Sequence, residues 1–133
     1  MSSDLKYGYK RTVDGAPDQV EPKVREALAE EGFGILTEID VRETLKKKLD
    51  VDFRPYKILG ACNPPLAHQA LSGETDIGLL LPCNVVVYQA EESGKTVVAA
   101  LDAVQQLGVT GREDMEELAN EVNQRLRRAL DGL

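Results

Sequence analysis

Apolar positions recur along the chain with two periods, and their succession predicts a mixed α+β domain. From Leu5 to Val13, the residues Leu5, Tyr7, Tyr9, Arg11 and Val13 share one parity, the pattern of an opening strand with an aromatic face, and Asp14-Gly15 turns it. Val20, Val24, Ala27 and Leu28 then fall on one side of a helical repeat, which predicts a helix over Pro17–Glu31 with Gly32 as a left-handed stop. Pro22 deletes an amide donor and suits only the first turn or so, so the expected start is irregular or shifted toward Asp18. Phe33–Ile39 alternates as a strand, and Asp40 with Glu43 has the capping-box spacing of a second helix ending near Lys48.

The second half repeats the grammar. Arg54–Ala61 reads as a strand with Tyr56, Ile58, Gly60 and Cys62 on one parity and Leu59 and Ala61 on the other, so both faces are expected to be partly covered. Asn63 caps a short helix from Pro64 to about Leu71 that Gly73 ends, and Asp76–Leu81 is a hydrophobic connector. Val85–Tyr88 and Thr96–Leu101, joined by a turn at Ser93-Gly94, predict antiparallel neighbours. Thr110 and Glu113 have capping-box spacing for a last helix whose stripe is Met115, Leu118, Ala119, Val122, Leu126, Ala129 and Leu130. The sum is about five strands and four helices in a single two-layer domain spanning 1–133, its mostly antiparallel sheet covered on one face by the helices near residues 18–31 and 113–130.

Composition narrows the function classes. A chain of 133 residues with 42% hydrophobic and 29% charged positions matches one soluble domain, and it has no apolar run near the roughly 20 residues that span a bilayer. The N-terminal residues carry no secretory pattern, which makes the cytoplasm the expected compartment and membranes an excluded partner. A net charge of −7 opposes phosphate backbones, so nucleic acid is excluded as well. The local run Arg42, Lys46, Lys47, Lys48, Arg54 and Lys57 is interleaved with Glu43, Asp50 and Asp52 and reads as a solvated helix face.

Candidate chemistry concentrates in two short stretches, Cys62-Asn63-Pro64-Pro65-Leu66-Ala67-His68 and Leu81-Pro82-Cys83-Asn84, which hold both thiols and the single histidine. Two cysteines make no disulfide framework. Zinc favours four soft ligands and the chain offers Cys62, His68 and Cys83 apart from carboxylates, so no metal site is assigned. Cys83 meets the Cys62–His68 turn only if its strand starts at the end of the sheet where the preceding strand finishes, which antiparallel pairing gives and a parallel crossover does not. A Cys62–His68 nucleophile and base lacks a clear orienting group, since Asn63 and Asn84 are the only neighbours to supply one. Pro64 and Pro65 remove amides that an anion would need, leaving the Asn63 side chain to cap the Leu66 amide.

The stretch Phe53–His68, together with Gly78–Val85 and the upstream Gly32–Asp40, closely resembles the family called domain of unknown function 302. The resemblance covers most of the chain. It implies a small α+β domain with an antiparallel-rich sheet, often a homodimer, and it assigns no activity.

Two readings follow. The preferred one is a homodimeric binding or interaction module whose ligand lies near the Cys62–His68 turn and the Leu81–Val85 strand start, with Cys62, Asn63, His68, Cys83 and Asn84 as candidate contacts. The alternative is a thiol-redox or soft-metal protein using Cys62, Cys83 and His68. Cofactor, catalytic residues and ligand identity are unassigned; a second copy of the chain is the expected partner, with sheet edge or apolar face as the contact.

Overall fold

Six antiparallel strands pair into one sheet in the computed structural model, which describes residues 2–133. β1 (Ser2–Leu5), β2 (Gly8–Asp14), β3 (Gly34–Asp40), β4 (Tyr56–Cys62), β5 (Cys83–Gln89) and β6 (Lys95–Leu101) stand in the spatial order β1-β2-β6-β5-β4-β3. β2 to β6 are seven residues long, and the four-residue β1 extends one edge. Between and after them run α1 (Pro17–Glu30), α2 (Val41–Leu49), α3 (Pro64–Gly73), α4 (Ala103–Gly108) and α5 (Glu116–Asp131), with 3-10 turns at Thr75–Leu80 and Glu113–Met115. No helix among the described residues is long and apolar enough to cross a membrane.

The pleat divides this sheet into two unlike faces. Leu59 and Ala61 of β4, Val85 and Val87 of β5, and Val98 and Ala100 of β6 point to the side where α1 and α5 lie, and all are buried. α1 contributes Val20, Val24 and Leu28; α5 contributes the expected stripe of Leu118, Ala119, Val122, Leu126, Ala129 and Leu130. Fully burying each Leu or Val of that stripe is worth about 1.5–3 kcal/mol, and α5 and α1 together cover this face, α5 over β2 and β6 and α1 over β3, β5 and β6. Arg11 fastens it, donating from Nη1 to the carbonyls of Leu130 (2.9 Å) and Asp131 (2.9 Å) at the helix end, while Arg127 lies 4.5 Å over the Tyr9 ring. The opposite face, with Lys10, Ala99, Leu101, Val86, Tyr88, Tyr56 and Ile58, carries neither α1 nor α5.

Several local expectations change. The opening strand is a hairpin, not one run: the chain reverses at Lys6-Tyr7, Leu5 faces Gly8, and only Tyr9, Arg11 and Val13 keep the common parity. Gly8 is required where β2 meets β6, because a Cβ there would stand 2.9 Å from the Ala100 carbonyl oxygen. α1 starts at Pro17 and runs through Pro22, whose exposed ring costs only the bond to the Asp18 carbonyl near the helix start. Thr110 does not cap the last helix. Its hydroxyl donates to the Leu107 carbonyl (2.8 Å) and accepts from the Arg112 amide (3.1 Å), closing α4, a helix the periodicity did not foretell. α2 behaves as expected: Asp40 Oδ1 accepts from the Glu43 amide (2.9 Å), none of its residues is buried, and Lys46 and Lys47 pair with Asp50 (3.1 Å) and Glu43 (2.8 Å).

Candidate functional site

In the β4–β5 register Ala61 stands opposite Cys83, so β4 ends where β5 begins and both stretches singled out in the sequence reach the same end of the sheet. After Cys62 the chain turns into α3 through Asn63. The Asn63 Oδ1 accepts from the Leu66 amide (3.4 Å), as expected of a helix cap, and Nδ2 donates to the Glu31 carbonyl (3.4 Å) at the end of α1. Pro64 and Pro65 occupy the exposed first positions of α3. The chain re-enters the sheet through the 3-10 turn and a cis Leu81-Pro82 peptide.

Between these segments lies a cavity of about 300 Å³. Ala61, Cys62 and Cys83 line it from the sheet, Leu66, Ala67, Ala70 and Leu71 from α3, Leu107 from α4, and Leu118 and Val122 from α5; Phe33, Leu36, Asn63, Gly78, Leu81 and Pro82 complete the wall. Three of its lining residues, Ala67, Ala70 and Gly78, are small. None of the lining residues is charged. Leu36 and Leu71, 66% and 39% exposed, line the wall and also reach solvent, and Leu79, beside the lining Gly78, is 87% exposed.

Both cysteines are free and half-buried. Burial pushes the Cys83 thiol up to about 11, and the neighbouring Cys62 adds to the rise. At neutral pH Cys83 is therefore protonated, a weak nucleophile and a poor ligand until a metal displaces the proton. Among the described residues no three His, Cys, Asp or Glu side chains are grouped to hold a metal ion.

The other two candidates lie elsewhere. His68 is exposed on α3, on the side turned away from Leu66, Ala67, Ala70 and Leu71, and it does not line the cavity. Asn84 follows Cys83 by one residue and so points to the opposite sheet face, where it is exposed and borders a groove of about 340 Å³ with Tyr7, Tyr56 and Tyr88. Tyr56 and Tyr88 stack there, with ring centroids 5.0 Å apart and planes 6° from parallel. The site thus joins Cys62, Asn63 and Cys83 and leaves out His68 and Asn84. The apolar lining went unread in the sequence because Leu118 and Val122 carry the signature of ordinary core; the one available hint was the pair of small residues Ala67 and Ala70 between the leucines of α3.

This arrangement can be set beside known proteins. No curated protein matches the chain. A crystal structure of an uncharacterized conserved protein, DUF302, from Bacillus stearothermophilus is similar at 32% identity, with a TM-score of 0.86, over 96% of this chain and 98% of that one. The family model described as domain of unknown function DUF302 matches residues 9–133, taking in β2 from its second residue, β3 to β6, the whole cavity wall and both cysteines. The chain belongs to the family of domain of unknown function DUF302.

Proposed function

We propose that this protein is a cytoplasmic, homodimeric module that binds a small molecule in the cavity between α3, α5 and the β4–β5 end. The observation that carries the reading is the cavity itself: about 300 Å³ is at the lower end of the roughly 300–1,000 Å³ typical of ligand pockets. Its contacts would include Cys62, Cys83 and Asn63 at the candidate positions. Thiol chemistry is the weaker reading, because the burial that holds Cys83 protonated works against both nucleophilic attack and metal capture.

The dimer rests on the open sheet face. Antiparallel sheets with one wet face alternate apolar and polar residues, whereas β5 and β6 are apolar on both parities, as in Val85-Val86-Val87-Tyr88 and Val97-Val98-Ala99-Ala100-Leu101. In a chain of net charge −7, Lys10 is the single charge within this face among the described residues, and the Lys95–Asp14 pair (3.3 Å) stands at its margin. Five seven-residue strands about 4.8 Å apart and roughly 20 Å long make a patch of about 500 Å² in projection. Tyr7 and Phe53, 67% and 41% exposed, add apolar surface beside it. Two such faces stacked about 10 Å apart give a self-complementary two-fold contact between copies.

Native mass spectrometry of the purified protein tests both parts. The expected spectrum is a dimer carrying extra mass that disappears on denaturation. A monomer at micromolar concentration sinks the dimer, and failure of any of a broad small-molecule set to bind sinks the cavity.

A further inference from the structure

We infer that the cavity takes a neutral, predominantly aliphatic molecule, admitted beside the exposed lining leucines Leu36 and Leu71. This rests on the cavity being the ligand site and adds the chemical class of the ligand.

Charge is the first discriminator. A ligand carrying a formal charge into this wall would meet no counter-charge among the described lining residues, and an unpaired buried charge costs far more than apolar contact returns. Arginines on the surrounding elements are already paired: Arg128 holds the Glu31 carboxylate at 2.9 Å, Arg125 holds Glu121 at 2.8 Å, and Arg112 holds Asp114 and Glu74.

Hydrogen bonding is the second. Asn63 is the one amide side chain in the wall, and each of its ends already has a protein partner, Oδ1 the Leu66 amide and Nδ2 the Glu31 carbonyl. No buried side-chain nitrogen or oxygen among the described residues lacks a partner, so none of them needs a polar ligand to be satisfied. The two thiols are weak donors, which tolerate an alkyl chain or an alcohol without demanding a partner.

Size and access are the third. Dry apolar cavities of about 150 Å³ take benzene. Twice that volume suits a chain of medium length or a bicyclic ring. The leucines at the rim extend the apolar lining to the surface, so a lipophilic molecule stays in contact with hydrocarbon as it enters.

The test uses the full chain and the neutral fluorophore N-phenyl-1-naphthylamine, displaced in turn by 1-octanol, octanoate and octylammonium at pH 7. The expected result is probe binding, with octanol displacing it at a concentration at least 10-fold lower than either ion. Ala67→Phe, which fills the cavity, should abolish probe binding. Leu36→Gln, at an exposed rim position where folding is not at stake, should weaken it severalfold. Displacement by octanoate or octylammonium as effective as by octanol overturns the ligand class while leaving the binding reading intact. Absence of probe binding, or binding that neither substitution alters, overturns the cavity as a ligand site.

Discussion

Asn63 donates from its side-chain amide to the main-chain carbonyl of Glu31 while its oxygen caps α3, so one residue joins the end of α1 to the start of the helix that walls the cavity. Arg125 donates to the same carbonyl at 3.0 Å, which brings α5 into the junction. Gly32 is tied to it too: its φ of +88° and the 2.9 Å that would separate its Cβ from Asn63 Nδ2 both require glycine.

Replacing Asn63 should therefore cost a cap and a tertiary bond together. Asn63→Ala is expected to destabilise the protein by about 1–2 kcal/mol in urea unfolding. Asn63→Asp keeps the acceptor but loses the donor, and should recover part of that loss. An unchanged midpoint in the alanine variant would show that the junction carries no stability.

Alkaline pH should weaken the fold through Cys83. Its folded value is raised from 9.0 to about 11 by burial and by Cys62, so above pH 9 the unfolded chain loses a proton that the folded chain retains. Stability contributed by the protonated thiol is complete below pH 9 and declines from pH 9 to 11, by at most about 2–3 kcal/mol, less any screening of this part-exposed group. Tyr56 and Lys57 are also raised, the first mainly by burial and the second mainly by its bond to Glu21, and they add losses of the same sign. The Cys83 share is read as the difference between wild type and Cys83→Ala in pH-dependent unfolding, and parallel curves for the two would refute it.

Gly60 should not accept a side chain. A Cβ on it would collide with Thr37 Oγ1 and lie 2.8 Å from Pro82 Cγ, across the β3–β4 pair and against the approach to β5. Gly60→Ala is expected to lower stability by about 1–3 kcal/mol. Adding Thr37→Ala should restore part of it, since the closer of the two clashes is then gone; thermal melts of the single and double variants give the comparison.

Val86→Glu tests the open face without entering the core. Val86 stands on the central strand β5 opposite Ala99, and a two-fold contact through the middle of the sheet would place two such glutamates near each other. Sedimentation should show a dimer weakened at least 100-fold, with the monomer's melting temperature little changed. A variant that dimerises like wild type would move the contact to another surface.

Legibility in the sequence followed the length of the pattern. α5 was readable because its apolar stripe persists over sixteen residues, and β4, β5 and β6 because short apolar, β-branched-rich runs bounded by turn residues read as strands whichever face they show. The hairpin at Lys6-Tyr7 was not, because neither turn residue is Gly, Asn or Asp and the alternation runs on through the reversal. α4 is six residues long, shorter than two helical turns, and its cap, Asp102 Oδ1 accepting from the Gln105 amide (3.1 Å), sits directly after a strand. At the site, the cluster of rare residues located the right end of the sheet, but proximity in sequence overstated proximity in space. Cys83 and Asn84 are consecutive and face opposite sides, and His68 is turned outward by the pitch of α3.

That one-residue divergence on β5 makes the strand a partition wall. Residues 83, 85 and 87 belong to the helix-covered side and residues 84, 86 and 88 to the open side, so a ligand and a second copy of the chain would press on the same backbone from opposite directions while touching no side chain in common. Each surface is free to change its own residues without rewriting the other, and the price of that independence is that any substitution shifting the strand's register by one would exchange the two surfaces at once.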